Sequence, residues 1–294
     1  MAITVPGSRL TFATAADMHR YALPGVCVAS DTELPTFSAF EGELQGELPK
    51  IALRSAAALP LPEKRLLTLQ HQEIDVAVLE DGWQFSLSRA PECAVRLSQD
   101  RRELTIPHAA ELKAHLTMLP LIRTALECAS APLGVVSLHS ACVEMDGEAV
   151  CFTASSGVGK STRAMQWACA LGAQLISGDR PSIRLSGDDA YACGVPWDGK
   201  ERIYRNAQRP LKMICEIVRC DQVSAHRLTR REAQRLLMRQ CFIPMWDTEA
   251  AAAVMAAIRR IIDRVPVVQL HCGMDVDAAR EAYDLIYRHP ERIA

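Results

Sequence analysis

The segment with the clearest chemistry is a nine-residue stretch that is rich in glycine and hydroxyl groups. Residues 154–162 read Ala-Ser-Ser-Gly-Val-Gly-Lys-Ser-Thr. An apolar run ending at Thr153 precedes the stretch, and a run with helical spacing, closed by Gly172, follows it. Between a buried strand and a helix, such a loop aims successive backbone N–H groups and the positive end of the helix at one point. The pattern therefore predicts a site for the phosphates of a nucleotide.

The side chains of this loop have distinct expected roles toward a nucleoside triphosphate. Lys160 is expected to reach the β- and γ-phosphates, and the Ser161 hydroxyl to ligate Mg²⁺. Ala154 stands where such loops usually begin with glycine, and an alanine held there at positive φ would cost roughly 1 kcal/mol. The remaining expected phosphate contacts are Ser155, Ser156, Gly157, Val158, Gly159 and Thr162. The alternative interpretation is a chance turn before a helix.

Phosphoryl transfer also needs a carboxylate and further cations close to the loop. Asp179, at the end of the next predicted strand, is the expected catalytic and metal-binding carboxylate, with a turn or capping aspartate as the alternative. Lys200, Arg202 and Arg205 lie together in a loop whose glycine, proline and tryptophan indicate a shaped, ligand-facing segment rather than a solvated basic turn. By its position alone, His139 in an apolar strand would be a satisfied core residue.

The composition is that of an ordinary folded protein and gives no support to two classes of partner. The 294 residues are 49% hydrophobic and 23% charged, with 33 Lys plus Arg against 35 Asp plus Glu and a formal net charge of −2. This balance does not indicate a nucleic-acid binder. No apolar stretch is long enough to predict a membrane span, and the first residues lack the pattern of a signal peptide. A cytoplasmic location without membrane attachment is expected.

The 11 cysteines are scattered without a Cys-x-x-Cys pair, which favours reduced thiols. Several lie in apolar periodic runs, where cysteine packs as a small hydrophobe, namely Cys142, Cys151 and Cys169. A zinc site built from Cys215, Cys220 and His226 is conceivable, but its spacing matches no standard ligand pattern.

The elements that must hold these residues change in character along the chain. Residues 1–108 form a β-rich region, with hairpins predicted around Asp81-Gly82 and between 97 and 103. Residues 109–133 are expected to form a connecting helix, interrupted or kinked near Pro120. Residues 134–294 form the expected nucleotide-binding domain. Its predicted elements are two long strands, 135–145 and 148–153, joined by a tight turn, the loop helix, a short strand at 173–179, a hairpin around 186–189, helices at 229–239, 247–262 and 277–287, and a strand at 265–270.

Five segments of this last domain resemble a known family in their order and spacing. They are His139-Ser-Ala-Cys-Val, the Asp146-Gly147 turn, the loop at 155–162, Ser177-Gly-Asp179 and Gly194-Val-Pro-Trp-Asp-Gly-Lys200. They are similar to the catalytic domain of HPr kinase/phosphorylase, and still more to the HPr-kinase-like serine kinases often encoded beside peptide-modification genes. The resemblance covers residues 134 to 290. It implies a mixed α/β fold in which a mixed sheet carries the loop, as in the nucleotide-binding core of phosphoenolpyruvate carboxykinase, rather than the parallel sheet of common P-loop NTPases.

The resemblance also implies an activity and a set of site residues. His139 and Asp179 would join Lys160 in the active site of a kinase that uses ATP, or another nucleoside triphosphate, with Mg²⁺. Arg202 or Arg205 would neutralise the transferring phosphoryl group. The acceptor would be a Ser or Thr hydroxyl of a protein or peptide, with the β-rich region as a candidate for its recognition and a homo-oligomer as a possible assembly.

One position departs from the family pattern and keeps other functions open. The family often has two adjacent acids where this chain has Asp179-Arg180, so a second metal-binding carboxylate and a reverse phosphorylase reaction are in doubt, and Arg180 could face the phosphates. Two alternatives therefore remain. The first is a nucleotide-dependent hydrolase or switch with water as acceptor, and the second is a non-enzymatic module that binds nucleotide, or has lost it, and recognises a partner.

Overall fold

Two mixed β-sheets organise the chain. A computed structural model describes residues 18–42, 48–62, 67–69, 73–107, 112–155, 157–197, 205–273 and 275–293. The first sheet has the order β1-β2-β3-β8-β7-β6-β5-β4. Its strands are β1 (His19–Leu23), β2 (Val26–Ser30), β3 (Lys50–Ala56), β4 (Leu67–Leu69), β5 (Ile74–Leu79), β6 (Gly82–Leu87), β7 (Ala90–Ser98) and β8 (Glu103–Pro107). Both predicted hairpins are present, as the antiparallel pairs β5–β6 and β7–β8.

The second sheet carries the predicted phosphate-binding loop. Its order is β12-β10-β11-β15-β14-β13-β9, with β17 paired to β15 and β16 to β17. Its strands are β9 (Val135–Ser137), β10 (Ser140–Met145), β11 (Glu148–Thr153), β12 (Gln174–Ser177), β13 (Ser182–Ser186), β14 (Asp189–Cys193), β15 (Gln208–Arg219), β16 (Ser224–Arg227) and β17 (Val267–Cys272). The loop strand β11 is antiparallel to β10 and parallel to β15, so the prediction of a mixed sheet carrying the loop is confirmed.

Two features of the second sheet differ from the expectation. The predicted single strand at 135–145 is divided at Leu138 and His139, because their backbone N–H groups bond outside the ladder, to the Pro181 carbonyl (3.1 Å) and the Gln240 carbonyl (2.8 Å). The central strand β15, at twelve residues, was not predicted. Its alternation of apolar and polar side chains begins beside Pro210, which the sequence pattern favours in a loop or at a strand edge.

Five α-helices pack on these sheets within the described residues. They are α1 (Leu112–Ser130), α2 (Lys160–Leu171), α3 (Arg230–Gln240), α4 (Thr248–Arg264) and α5 (Val276–Tyr283), the last continuing as a π-helical turn, Asp284–Arg288. Helix α1 was predicted to be interrupted or kinked near Pro120, and the interruption is wrong, because α1 runs through Pro120 as one helix. Proline removes only one backbone hydrogen bond, and the buried residues Leu119 and Leu121 anchor both sides of it in the core. None of the described helices is both long and apolar enough to cross a bilayer.

The helices cover opposite faces of the second sheet. Trp167 of α2 is fully buried and packs edge-to-face on Phe152 of β11, with ring centroids 5.2 Å apart. On the other face, α3 and α4 share one continuous core with α1 and the first sheet.

The cysteines are free thiols, and Cys142 and Cys151 are buried as expected, whereas Cys169 is exposed on the outer side of α2.

A buried histidine at the junction of α1 and the first sheet gives a testable pH dependence. The Nε2 atom of His115 lies 2.7 Å from the Thr36 hydroxyl, and its Nδ1 atom has no hydrogen-bond partner among the described residues. Burial lowers the pKa of His115 from 6.5 to about 4. The folded protein therefore binds this proton less tightly than the unfolded chain, and stability is lost as the pH falls from 6.5 toward 4.

We expect the free energy of unfolding to fall by about 2 kcal/mol between pH 7 and pH 5 because of His115 alone. Urea unfolding at both pH values would measure it. His115→Gln, which keeps a hydrogen-bonding group beside Thr36, should lose that part of the pH dependence, while the exposed control His289→Gln should keep it. Equal pH dependence in wild type and His115→Gln would contradict the assignment.

Candidate functional site

The predicted phosphate-binding loop connects the carboxyl end of β11 to the first residue of α2. Gly157 and Gly159 have φ angles of 80° and 119°, in the left-handed region that glycine enters without steric cost. The Val158 N–H donates to the Ser155 carbonyl over 3.3 Å, which closes a turn inside the loop. The glycines therefore sit where the chain reverses to meet the N-terminus of α2, the end that attracts anions.

Ala154, the departure from the usual loop pattern, is accommodated without strain. It is absent from the residues that adopt positive φ, and its side chain is only 1% exposed. It packs in the same core as Phe152, Ala164 and Trp167. The cost that positive φ would impose on alanine does not arise, and the methyl group fills space between β11 and α2.

An arginine at the end of β15 holds the outer side of the loop. The Arg219 guanidinium donates from Nε to the Val158 carbonyl (2.9 Å) and from Nη2 to the Gly157 carbonyl (3.4 Å). These two hydrogen bonds hold the carbonyl oxygens of Gly157 and Val158, and they thereby fix the orientation of both peptide groups. Arg219 was not predicted as a site residue because β15 was not predicted, although an arginine at the end of an alternating apolar and polar run is a visible signal.

The Lys-Ser-Thr end of the loop starts α2. The Lys160 ammonium donates to the Ala154 carbonyl across the loop (3.3 Å), and the Ser161 hydroxyl donates to the Gly178 carbonyl (3.3 Å). Burial, together with the nearby Arg180 charge, lowers the pKa of Lys160, and Asp179 opposes that shift. The Lys160 ammonium thus lies close to Asp179 and Arg180, the two charged residues that follow β12. Thr162, in the first turn of α2, is exposed.

His139 and Asp179 lie together beside the loop, although 40 positions separate them in the sequence. The His139 Nε2 atom is 3.8 Å from the Asp179 Oδ1 atom, and the two side chains are 31% and 32% exposed. Burial and the charges of Lys160 and Arg180 lower the pKa of His139, against opposing effects of Asp179 and a hydrogen bond with Gln240. At neutral pH the imidazole is therefore mainly uncharged, next to an accessible carboxylate.

Arg180 adopts an unusual backbone conformation in the same place. Its φ of 54° lies in the left-handed region, which costs an L-residue roughly 1–2 kcal/mol. Strain of this kind concentrates at functional sites. The Arg180 charge acts on both Lys160 and His139, so it adds positive potential to the site where a second acid was in doubt.

Helix α1 contributes a further arginine that was not predicted from the sequence. Burial lowers the pKa of Arg123, with the neighbouring charges of Arg180 and Asp179 acting in opposite directions. Its Nε atom is 4.0 Å from a carboxylate oxygen of Glu127, one turn away. Arg123 was overlooked because a lone arginine in an amphipathic helix normally indicates a solvated face.

The residues present fit a Mg²⁺ ion that accompanies a nucleotide. The Ser161 hydroxyl donates to the carbonyl of Gly178, the residue next to Asp179, so the hydroxyl lies beside the segment that carries the carboxylate. Mg²⁺ prefers such oxygen ligands and normally completes its shell with phosphates and water. In the described ranges no cluster of three His, Cys, Asp or Glu side chains could hold a metal ion by itself.

The predicted basic loop is only partly described. Lys200 and Arg202, like Ser156, lie outside the described residues. The Arg205 guanidinium donates a hydrogen bond of 2.8 Å to the carboxylate of Glu144 in β10. Glu144 lies four residues after Ser140, and Ser140 pairs with Thr153, the last residue of β11 before the loop. Four strand residues span about 13 Å, so this ion pair holds the Arg205 guanidinium away from the phosphate-binding loop.

The structure thus brings Lys160, Ser161, Asp179 and His139 together and places Arg205 elsewhere. No protein-family model matches the chain, and no curated protein does. Among solved structures, the chain is similar to the HPr(Ser) kinase/phosphatase from Coxiella burnetii, with 10% identity, a TM-score of 0.32, and coverage of 53% of this chain and 96% of that chain. At that identity and TM-score, the comparison assigns neither an activity nor a site residue to this protein.

Proposed function

We propose that this protein is an ATP-dependent kinase that transfers the γ-phosphoryl group of Mg-ATP to a Ser or Thr hydroxyl of a protein or peptide. One observation carries the proposal: the accessible Asp179 side chain lies beside the uncharged imidazole of His139 and close to Lys160. Lys160 belongs to a loop that turns at two glycines and ends at a helix N-terminus. The resemblance of residues 134–290 to HPr-kinase-like serine kinases supports the class of acceptor.

Each group has a place in the proposed transfer. Lys160 and the N–H groups of the loop hold the β- and γ-phosphates, and Ser161 with Asp179 holds Mg²⁺, which supplies charge neutralisation when bound. Asp179 accepts the proton of the acceptor hydroxyl while the oxygen of that hydroxyl forms a bond to the γ-phosphorus. The bond from that phosphorus to the bridging oxygen breaks, and ADP leaves with the electron pair. His139 receives or relays the proton from Asp179.

Phosphorylation with γ-labelled ATP tests the proposal. The protein is incubated with labelled Mg-ATP and the products of neighbouring genes, and the labelled amino acid is identified. Label on Ser or Thr that disappears in Lys160→Ala and Asp179→Asn supports the kinase. Release of labelled phosphate without a labelled acceptor would favour a hydrolase or switch. Binding of Mg-ATP without any turnover would favour a non-enzymatic module.

Removing the arginine that holds the loop should weaken nucleotide binding more than turnover. In Arg219→Ala the carbonyls of Gly157 and Val158 lose a charged donor, so we expect the KM for ATP to rise about fivefold, corresponding to about 1 kcal/mol. The kcat should stay within about twofold, because the bonds go to the loop and not to the reacting phosphate.

Steady-state kinetics with varied ATP measure this effect. Arg219→Lys keeps the charge but not the two-carbonyl contact, so its KM should be intermediate. Arg227→Ala, a change at another exposed arginine, is the control. A fall in kcat at unchanged KM would show that Arg219 acts on the transferring phosphate instead.

A further inference from the structure

Three arginines form a continuous stripe on the exposed face of α3. Arg231, Arg235 and Arg239 are spaced four residues apart and are all exposed, and together they are named the α3 stripe. Helical geometry puts successive members about 6 Å apart along the axis, so the α3 stripe is about 12 Å long. Like charges at this spacing destabilise a helix, so helix formation does not account for the pattern.

The neighbouring acids do not neutralise the α3 stripe. Asp263 is paired with Arg230, outside the stripe. Glu232 receives the backbone and hydroxyl hydrogen bonds of Thr229 in the capping box at the start of α3, although its charge also reaches Arg235. Glu216 lies 3.9 Å from Arg239, whose side chain is still 64% exposed. In the part of the chain that the structure describes, no acidic side chain lies within 4 Å of Arg231 or Arg235.

The α3 stripe leads to the candidate active site. The Gln240 carbonyl at the end of α3 accepts the His139 N–H over 2.8 Å. Glu216, the neighbour of Arg239, is in register with Thr153, the last residue before the phosphate-binding loop. The C-terminal end of α3 therefore bonds to the backbone of His139, and the Arg239 side chain lies beside the residue that pairs with Thr153.

A polar sheet surface continues from the end of the α3 stripe. Alternate residues of β15 and β17 are buried under α2 and α5, which leaves Glu216, Gln269 and His271 on the opposite face. Gln269 bonds to both neighbours, at 3.2 Å to Glu216 and 3.1 Å to His271, and all three are partly exposed. His226 of β16 lies beside them, its ring 5.6 Å from that of His271. This surface offers hydrogen bonds but little apolar area.

We infer that the α3 stripe and the adjoining polar surface bind an acidic segment of the polypeptide acceptor, next to the hydroxyl that is phosphorylated. The inference rests on the proposed function and specifies its acceptor. Three arginines on one line match carboxylates better than any neutral chain does, because guanidinium groups bind carboxylates in a bidentate manner. An extended chain covers 12 Å in about four residues, so a block of about four acids fits the stripe.

Peptide binding measured by fluorescence anisotropy tests the inference. The probes are labelled peptides with one serine and four glutamates on its amino or its carboxyl side, and matched peptides with four glutamines or four lysines. With Mg²⁺ and a non-hydrolysable ATP analogue present, we expect one glutamate peptide to bind at least about tenfold tighter than its glutamine counterpart, and less tightly at higher salt. The triple variant Arg231→Glu/Arg235→Glu/Arg239→Glu should lose that preference.

Two further variants keep the test decisive. Replacing the same three arginines by glutamine should also abolish the preference, and it covers the case in which charge reversal prevents folding. The control reverses three exposed arginines elsewhere, Arg89, Arg280 and Arg292, with the same change in net charge, and should keep the preference. Equal binding of glutamate and glutamine peptides to the wild type, or equal loss in the control, would overturn the inference. So would stripe-dependent binding of an oligonucleotide in place of the acidic peptide.

Binding of Mg-ATP tests the proposed kinase activity independently of the acceptor inference. The affinity for Mg-ATP should be the same in the wild type and both stripe variants, because the three arginines do not form the loop. If the wild type binds Mg-ATP and phosphorylates an acceptor without an acidic preference, the acceptor inference fails and the kinase stands. If the wild type binds no Mg-ATP, the kinase proposal itself fails.

Discussion

Lys160→Ala should reduce phosphoryl transfer by roughly 10²–10³-fold, the usual effect of removing one group that stabilises transition-state charge. Its ammonium is partly buried and donates to the Ala154 carbonyl across the loop, and in the proposed function it binds the β- and γ-phosphates. The loss should appear mainly in kcat, with a smaller rise in the KM for ATP. Lys212→Ala, which removes a lysine paired with Glu148 elsewhere, is the matched control.

A second measurement on Lys160→Ala does not depend on activity. The positive charge of Lys160 helps to lower the pKa of His139, so removing it should raise that pKa. Titration of the His139 ring signals by NMR in the wild type and the variant measures the shift. An unchanged His139 pKa would show that the ammonium and the imidazole are not neighbours, and would remove the geometric basis of the site.

Asp179→Asn should reduce kcat by about 10²–10⁴-fold, the range found for positioned proton acceptors. The amide keeps the size of the side chain but cannot accept the hydroxyl proton and ligates Mg²⁺ weakly. Nucleotide affinity without Mg²⁺ should therefore change little, while the gain in affinity on adding Mg²⁺ should shrink. Rapid-quench kinetics and calorimetry with and without Mg²⁺ separate the two effects.

The control for Asp179→Asn is Asp189→Asn, at an exposed position of the β13–β14 hairpin. Because Asp179 opposes the lowering of the His139 pKa, its loss should lower that pKa further. The two active-site variants are thus expected to move the His139 pKa in opposite directions. A shift of the same sign in both variants would contradict the arrangement of charges around the imidazole.

In the proposed function a single acid, Asp179, serves the site, and the balance of charge around it bears on that proposal. Lys160, Arg180 and the buried Arg123 all act on the surroundings of Asp179. They create a positive environment that suits a triphosphate with four negative charges. The left-handed backbone of Arg180 fits this role, because strain is retained where the surrounding structure and function require it.

The sequence by itself determined the parts of the site that depend on consecutive residues. The loop and its place between β11 and α2 follow from neighbouring side chains and from hydrophobic periods of two and 3.6 residues, and the roles proposed for Lys160 and Ser161 rest on the same contiguous pattern. The hairpins of the first sheet and the helix limits near α3 and α4 followed in the same way, since turns and caps are local. Residue type and spacing were enough because strand, loop and helix are contiguous in the chain.

Only the tertiary structure decided which distant side chains meet. His139 faces Asp179 because the expected strand breaks where backbone bonds to Pro181 and Gln240 replace ladder bonds. Arg219 reaches the loop from 61 residues away because β15 lies parallel to β11. Such pairings depend on strand order and register, to which local periodicity is blind, since any register that buries the same apolar face satisfies the same pattern.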